Sequence, residues 1–255
     1  KVIVIKLGGS VLSSRDTSLE DIVRLKKDGF HPVVVHGGAA TVNNWLTRLN
    51  IGTRIHNGER VTDKETLEVV AAVLAGLVNK ETVAVLLNMG VKAVGLSGVD
   101  GGMISGKPRG ADWGFMGDAV LVDPSVLNTL LAANMIPVVS PISLNIGDNC
   151  TRLLNINGDP VAGELAASLQ AARLVFLTDV PGIKNRESEL IGSISAMDAE
   201  ALVTTGVASG GMVPKIRAAR RASAAGTVTS IIDGSQPHIL YNEIIQGGCG
   251  TTITD

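Results

Sequence analysis

Val2-Ile3-Val4-Ile5-Lys6-Leu7-Gly8-Gly9-Ser10 opens the chain as an apolar run that stops at a lysine and two glycines. Further along, Val33-Val34-Val35 runs into His36-Gly37-Gly38 in the same manner. Consecutive β-branched residues with no polar alternation read as strands buried on both faces, the habit of parallel sheets. Glycines at the end of such a strand let main-chain amides approach a ligand with no Cβ in the way. Open α/β sheets hold their ligands at strand carboxyl ends. With Lys6 beside these amides, the two stretches predict a site that handles phosphate.

Composition narrows the class. The 255 residues are 45% apolar and only 2% aromatic, with 30 glycines, so Val, Ile, Leu and Ala must fill the core. A net charge of −2 without Lys/Arg clusters, and few rings for base stacking, argue against a nucleic-acid partner. No apolar run approaches the roughly eighteen residues of a membrane span, and no leader precedes the first strand, so a cytoplasmic protein is expected. Cys150 and Cys249 form no CxxC or Cys/His cluster, which suits free thiols in a reducing compartment.

Strand-like and helix-like segments alternate throughout. Strands are expected at 2–5, 32–36, 93–96, 137–140, 174–178 and 227–232, with helices at 19–27, 41–49, 64–87, 124–132, 161–169, 198–204 and 212–225. Ser18 with Asp21, Thr62 with Glu65, and Asp123-Pro124 supply capping chemistry. Such βα alternation predicts an α/β fold, a three-layer αβα sandwich around a mainly parallel sheet. The least regular part, 98–117, reads as a surface hairpin or flap. A lobe boundary is placed within 159–170, giving an N-terminal lobe 1–165 and a C-terminal lobe 166–255.

The phosphate chemistry is distributed. Gly101–Lys107 nearly matches a P-loop, but Pro108 stands where that motif needs a hydroxyl, and proline fits poorly after a helix has opened. Lys107 is therefore expected to be a solvated loop lysine. Asn155-Ile156-Asn157-Gly158-Asp159 puts two amides and a carboxylate at the mouth of a helix, where Asp159 serves either as cap or as site residue. Ser209-Gly210-Gly211-Met212 leads into a helix with Lys215 in its first turn, and a lysine there opposes its own helix dipole, which points to function. Thr178-Asp179-Val180-Pro181-Gly182 ends a buried strand, either as a simple turn or as a nucleotide-pocket wall. Arg60 precedes a helix with no acidic residue four positions on, leaving its guanidinium available to a carboxylate.

Taken in order, these pieces resemble the amino acid kinase family, and within it the members that phosphorylate N-acetyl-L-glutamate. Lys6-Leu7-Gly8-Gly9, His36-Gly37-Gly38, Asn57–Asp63, Leu67–Val70, Gly76–Glu81 and Gly95–Gly98 carry the match in the first half. Asn155–Asp159, Leu177–Ile183, Ser209–Met212, Ile232-Asp233-Gly234 and Gly250-Thr251 complete it almost to the end of the chain.

That resemblance implies transfer of the ATP γ-phosphoryl group to a side-chain carboxylate, giving an acyl phosphate in arginine biosynthesis. The N-terminal lobe would hold the acyl substrate and dimerise, and the C-terminal lobe would hold ATP with Mg²⁺. By the same resemblance Lys6 and Lys215 flank the transferring group and Asp159 holds them in place. Gly37, Gly38, Ala39, Arg60, Asn155 and Asn157 would face the substrate. Gly8, Gly9, Ser10, Thr178, Asp179, Gly182, Ser209, Gly210, Gly211 and Met212 would face phosphate or nucleotide, and no metal ligand set is expected from the protein. The attacking carboxylate is ionised at neutral pH and needs no general base, so His36 is expected to be structural.

Many relatives read His-Gly-Gly-Gly-Pro where this chain has Ala39-Ala40. The first strand begins at once, without the N-terminal helix that links relatives into arginine-inhibited hexamers, so a homodimer insensitive to arginine is expected. The alternatives are a carrier-protein-linked aminoadipate or glutamate kinase of lysine biosynthesis, and a non-catalytic ligand-binding module on the same fold.

Overall fold

The computed structural model describes residues 1–8, 17–56, 59–147 and 152–255. In chain order the elements begin β1 (Val2–Leu7), α1 (Ser18–Lys27), β2 (His31–His36), α2 (Ala39–Arg48), β3 (Arg54–His56), β4 (Glu59–Val61) and α3 (Lys64–Ala71). There follow α4 (Asn79–Asn88), β5 (Ala93–Ser97), β6 (Ile104–Pro108), β7 (Met116–Val122), α5 (Ser125–Ala132), β8 (Ile136–Ser140), β9 (Ile142–Asn145), β10 (Leu153–Ile156) and α6 (Gly158–Ser168). The last are β11 (Arg173–Thr178), β12 (Ser193–Ser195), α7 (Ala196–Thr204), α8 (Met212–Ser223), β13 (Val228–Asp233), α9 (Ile239–Ile245) and β14 (Gly250–Thr254).

An eight-stranded sheet in the order β12-β14-β13-β11-β1-β2-β8-β5 forms the middle layer. Its neighbours run parallel except β13 with β14. β1 is central because its alternate side chains feed two cores. Ile3, Ile5 and Leu7 pack with α1 and α9 residues such as Ile22 and Leu240, while Val4 packs on the opposite face with Leu165 and Ile216 of α6 and α8. Val34 and Val33/Val35 divide in the same way, as do Val175 and Leu174/Phe176. The apolar residues of these central strands thus lose water on one face or the other, which is why their runs lack alternation.

Four further strands, β10-β7-β6-β9, close into a small barrel, and β3 with β4 forms a separate hairpin. The expected flap at 98–117 is therefore half corrected. It does make the hairpin β6–β7, but Met103 and Ile104 are fully buried inside the barrel wall. Lys107 lies in strand β6 with no helix behind it, so the near-P-loop is a strand. Helix starts also differ from expectation. Thr17, not Ser18, is the cap of α1, and Asp63, not Thr62, caps α3 by accepting from Thr66 N at 2.8 Å.

The helical stretch Lys64–Asn88 is continuous over 25 residues and is long and apolar enough to cross a bilayer, which was not expected from the sequence. In this fold Val70, Val73 and Leu74 lie against Val42 and Leu46 of α2, and Leu86 enters the core beside Ile136 and Val138 of the sheet.

Candidate active site

Both Lys6 and the opening of α6 lie at the carboxyl edge of the sheet. Lys6 is the penultimate residue of β1, in register with Val35 and Phe176. Asn157 caps α6, its Oδ1 accepting from Asp159 N at 3.0 Å. The sequence left Asp159 open between a cap and a site residue, and the cap is Asn157. The Asp159 carboxylate, only 3% exposed, turns to two lysines: Lys6 Nζ is 2.7 Å from Oδ1 and Lys215 Nζ is 2.9 Å from Oδ2. Burial by itself would raise the Asp159 pKa, but the two ammonium groups outweigh it and hold it below the usual carboxylate value.

The meeting of Lys215 and Asp159 depends on how closely α6 and α8 approach. A Cβ on Gly163 would stand 2.7 Å from the Ala218 carbonyl oxygen, so glycine is what lets the two backbones touch. Lys215 also donates to Gly211 O at 3.1 Å. The buried carboxylate, supplied from another helix, offsets the unfavourable position of a cation in a first turn.

Two cavities share this charged cluster. The smaller, about 380 Å³, is lined by Lys6, Gly37, Gly38, Ala39, Arg60, Asn155 and Asn157, together with apolar Val42, Val70, Leu74 and Met116. The larger, about 760 Å³, takes Lys6, Asn157, Asp159, Gly210, Gly211 and Lys215, with Arg109, Trp113 and Arg217. Lys6, Glu59 and Asn157 line both, so the cavities meet beside the lysine pair.

The substrate-side candidates are brought together in the smaller cavity. α2 begins at Ala39 with Gly38 as its cap residue, and Val42 N makes the first bond back to Gly38 O, so the amides of the opening turn are free for a ligand. Gly37 N is engaged with Leu7 O at 3.3 Å, which leaves the Gly38 amide as the one presented. Arg60 donates to Asn43 Oδ1 through Nη2, while its buried Nη1 has no partner among the described residues. Burial lowers the Arg60 pKa from its usual high value, the mark of a guanidinium partly withdrawn from water. Asn155 donates to Thr62 Oγ1 at 3.0 Å.

The phosphate and nucleotide candidates divide. Gly210 and Gly211 line the larger cavity, whereas Thr178, Asp179, Gly182, Ser209 and Met212 line neither. Thr178 ends β11 opposite Asp233, and its Oγ1 accepts from Val180 N at 2.9 Å. Gly182 sits against Thr251, and Met212 packs on the apolar core. Gly8 directly follows β1, next to the Leu177 carbonyl. Gly9 and Ser10 lie outside the described residues.

Sequence reasoning missed Glu59, Arg109 and Asp118. Glu59 accepts from Asn157 Nδ2 at 2.7 Å and from Arg109 Nη1, and Arg109 Nε lies 2.7 Å from Asp118 Oδ1. Burial would lower the Arg109 pKa, but Asp118 and Glu59 more than reverse it. No local signal marked this group, because its members come from β4, the loop after β6, and β7. Glu59 engages the Asn157 side-chain amide, and Asn157 in turn caps the helix that carries Asp159.

Among the described residues no group of three or more His, Cys, Asp and Glu side chains converges as a metal site. Both Asp159 oxygens face lysines. This donor set fits a cation carried on nucleotide phosphates, with the protein supplying ammonium groups and amides instead of a carboxylate cage.

Comparison with known proteins gives the family. The model of the Amino acid kinase family matches residues 1–233. The chain is 56% identical over 256 residues to an acetylglutamate kinase of Dehalococcoides mccartyi, covering 99% of this chain and 94% of that one. Among solved structures, smu.665 of Streptococcus mutans superposes with a TM-score of 0.83 at 28% identity, over 99% of this chain and 98% of that one. An N-acetylglutamate synthase of Neisseria gonorrhoeae, complexed with coenzyme A and N-acetyl-glutamate, gives 0.85 at 25% identity, over 100% of this chain and 59% of that one. This chain belongs to the amino acid kinase family.

Proposed function

We propose that this protein phosphorylates the side-chain carboxylate of N-acetyl-L-glutamate with ATP, forming an acyl phosphate in arginine biosynthesis. The observation that carries this reading is a buried carboxylate, Asp159, held between Lys6 and Lys215 where two cavities meet. One carboxylate between two ammonium groups leaves a net positive charge, with Lys6 lining both cavities and Lys215 the larger. Such a centre suits phosphoryl transfer, in which positioning and charge stabilisation do most of the catalysis.

The smaller cavity suits a small acyl amino acid. Arg60 would grip the α-carboxylate through its unpartnered Nη1, and Asn155 with Asn157 would face the N-acetyl amide. Val70, Leu74 and Met116 would exclude water from the chain between them. The Gly38 amide and the first turn of α2 would meet the side-chain carboxylate and the incoming phosphoryl group. ATP would take the larger cavity, with Gly210 and Gly211 against its phosphates. Mg²⁺ bound to those phosphates supplies further neutralisation of the charge developed on transfer. Thr178, Asp179, Gly182, Ser209, Met212, Gly8, Gly9 and Ser10 belong to the nucleotide side in this reading.

The proposed division is an N-terminal lobe, 1–165, holding the acyl substrate, and a C-terminal lobe, 166–255, holding ATP. In support, the smaller cavity is lined only by residues up to Gly158, while the larger draws on both parts. A cytoplasmic homodimer without nucleic-acid or membrane partners is part of the same proposal. The half-exposed Leu77 and Leu87 on the long helix are the apolar surface a second copy would cover. Phosphate-coupled ADP release tests the reading: ADP should form only when N-acetyl-L-glutamate is present, and Lys215→Ala should abolish it.

A further inference from the structure

The long helix does not stay α-helical. Between α3 and α4 the seven residues Ala72–Val78 form a π-helical segment, a rare geometry that collects at functional sites. It delivers Asn79, which is wholly buried. Asn79 Nδ2 lies 2.9 Å from Val138 O, 3.0 Å from His36 Nε2 and 3.3 Å from Leu96 O, and Oδ1 accepts from Lys80 Nζ at 3.0 Å. Two carbonyls on one side and an ammonium on the other permit only one orientation of that amide. A Cβ on Gly95 would stand 2.0 Å from Asn79 Oδ1, so glycine at that point in β5 makes room for it.

The Gly37 carbonyl, 2.8 Å from His36 Nδ1, can only accept, so the neutral ring carries its proton on Nδ1 and donates it there. Nε2 is then an acceptor facing the Asn79 amide group, whose two hydrogens are shared among that nitrogen and the Val138 and Leu96 carbonyls. In a trans peptide the carbonyl and the following N–H point in opposite directions. By holding Gly37 O, the ring turns the Gly38 N–H away from itself, and Gly38 lines the smaller cavity. The π segment adds to this control: Gly38 has φ 152°, and a Cβ there would stand 2.7 Å from Leu74 Cδ2. Burial keeps His36 neutral, and Lys80 adds to that effect against the opposing Gly37 bond.

We propose that Asn79 and His36 are positioning residues of the phosphoryl-transfer site: Asn79 fixes His36 as the Nδ1–H tautomer, and His36 aims the Gly38 amide at the acceptor carboxylate. This rests on the kinase reading above. Neither residue touches substrate, and both act through the Gly37–Gly38 peptide.

Two substitutions at His36 separate positioning from packing. His36→Asn keeps a donor near the Nδ1 position, while His36→Gln keeps one near Nε2 and loses the first. In folded protein with cooperative melting, His36→Asn should keep most of the turnover. His36→Gln should lose about tenfold or more in kcat with the KM for ATP unchanged, a misaimed donor being a milder version of a missing one. If the ring only filled space, the smaller asparagine would be the more damaging. Nitrogen-15 histidine spectra of the full chain supply the independent readout. The wild type should show neutral His36 protonated on Nδ1 across about pH 6 to 8. Asn79→Asp, which places an acceptor opposite Nε2, should move a proton onto Nε2 and lower kcat similarly. A wild-type Nε2–H tautomer, an ordinary titration of His36, or equal loss in His36→Asn and His36→Gln would overturn the proposal. If wild-type protein turns over no acceptor, the kinase reading fails, and the spectra alone decide the tautomer.

Discussion

Lys215 Nζ rests 2.9 Å from Asp159 Oδ2 although the two residues are 56 positions apart, and Lys6 Nζ takes the other oxygen at 2.7 Å. Three charges from β1, α6 and α8 thus meet behind the junction of two cavities. In the proposed reaction the lysines meet the transferring phosphoryl group and Asp159 keeps them from repelling each other.

Lys6→Ala and Lys215→Ala should each lower kcat by about a hundred- to a thousand-fold, the usual effect of losing one preorganised charge at a transition state. ATP binding, followed by calorimetry, should weaken far less than kcat falls. A variant that lost affinity and rate in equal measure would show the lysine to be a binding group only.

Asp159→Asn should destabilise the fold by about 3 kcal/mol in denaturant unfolding, because it leaves two ammonium groups facing each other without their buried counter-charge. The acid side follows the same logic. A carboxyl whose folded pKa lies below its unfolded value, about 3.9, adds stability that is complete above that value. That stability is lost as the pH falls through the lower folded pKa. Wild-type stability should therefore drop below about pH 4, and Asp159→Asn should flatten that part of the profile.

Arg60→Lys should raise the KM for the acyl substrate at least tenfold while changing the KM for ATP little, since a planar guanidinium grips a carboxylate through two bonds and an ammonium cannot. Steady-state kinetics with each substrate varied in turn would show it. An equal rise in both KM values would place Arg60 outside the acyl site.

Gly163→Ala should cost about 1–3 kcal/mol, because its methyl meets Ala218 backbone atoms that cannot move without shifting α8. Since α8 carries Lys215, kcat should fall in folded protein as well. Unchanged kcat in a destabilised variant would mean that helix spacing and the lysine–carboxylate contact are independent.

Glu59→Gln should disturb the link from Arg109 to Asn157. In a double-mutant cycle with Arg109→Met, the coupling in kcat should correspond to about 0.5 kcal/mol or more, the range for residues in one hydrogen-bonded network. Additive losses would show that the two act separately.

Much of this was legible in the chain because the informative features are local. The apolar runs Val2–Ile5 and Leu174–Leu177 announce strands buried on both faces, and the cation in the first turn of α8 announces a partner elsewhere. The small barrel was not legible. Its strands are short, and Gly106 and Gly117 sit within β6 and β7, so 98–117 reads as irregular until the four strands close on one another. Caps were misplaced by a residue because Ser18 and Thr62 adjoin equally good candidates, Thr17 and Asp63, and only backbone geometry separates them. The Glu59–Arg109–Asp118 network and the Asn79–His36 contact link residues distant in sequence. Sequence alone presents them as ordinary surface charges and a helix amide.

The most direct test of the central claim is Mg²⁺- and ATP-dependent acyl-phosphate formation, trapped with hydroxylamine. The acceptors to compare are N-acetyl-L-glutamate, glutamate, aspartate and N-acetyl-aminoadipate. The account predicts strong hydroxamate formation with N-acetyl-L-glutamate and little with the others. Product from the aminoadipate compound alone, or from none of the four in protein that still binds ATP, would contradict it.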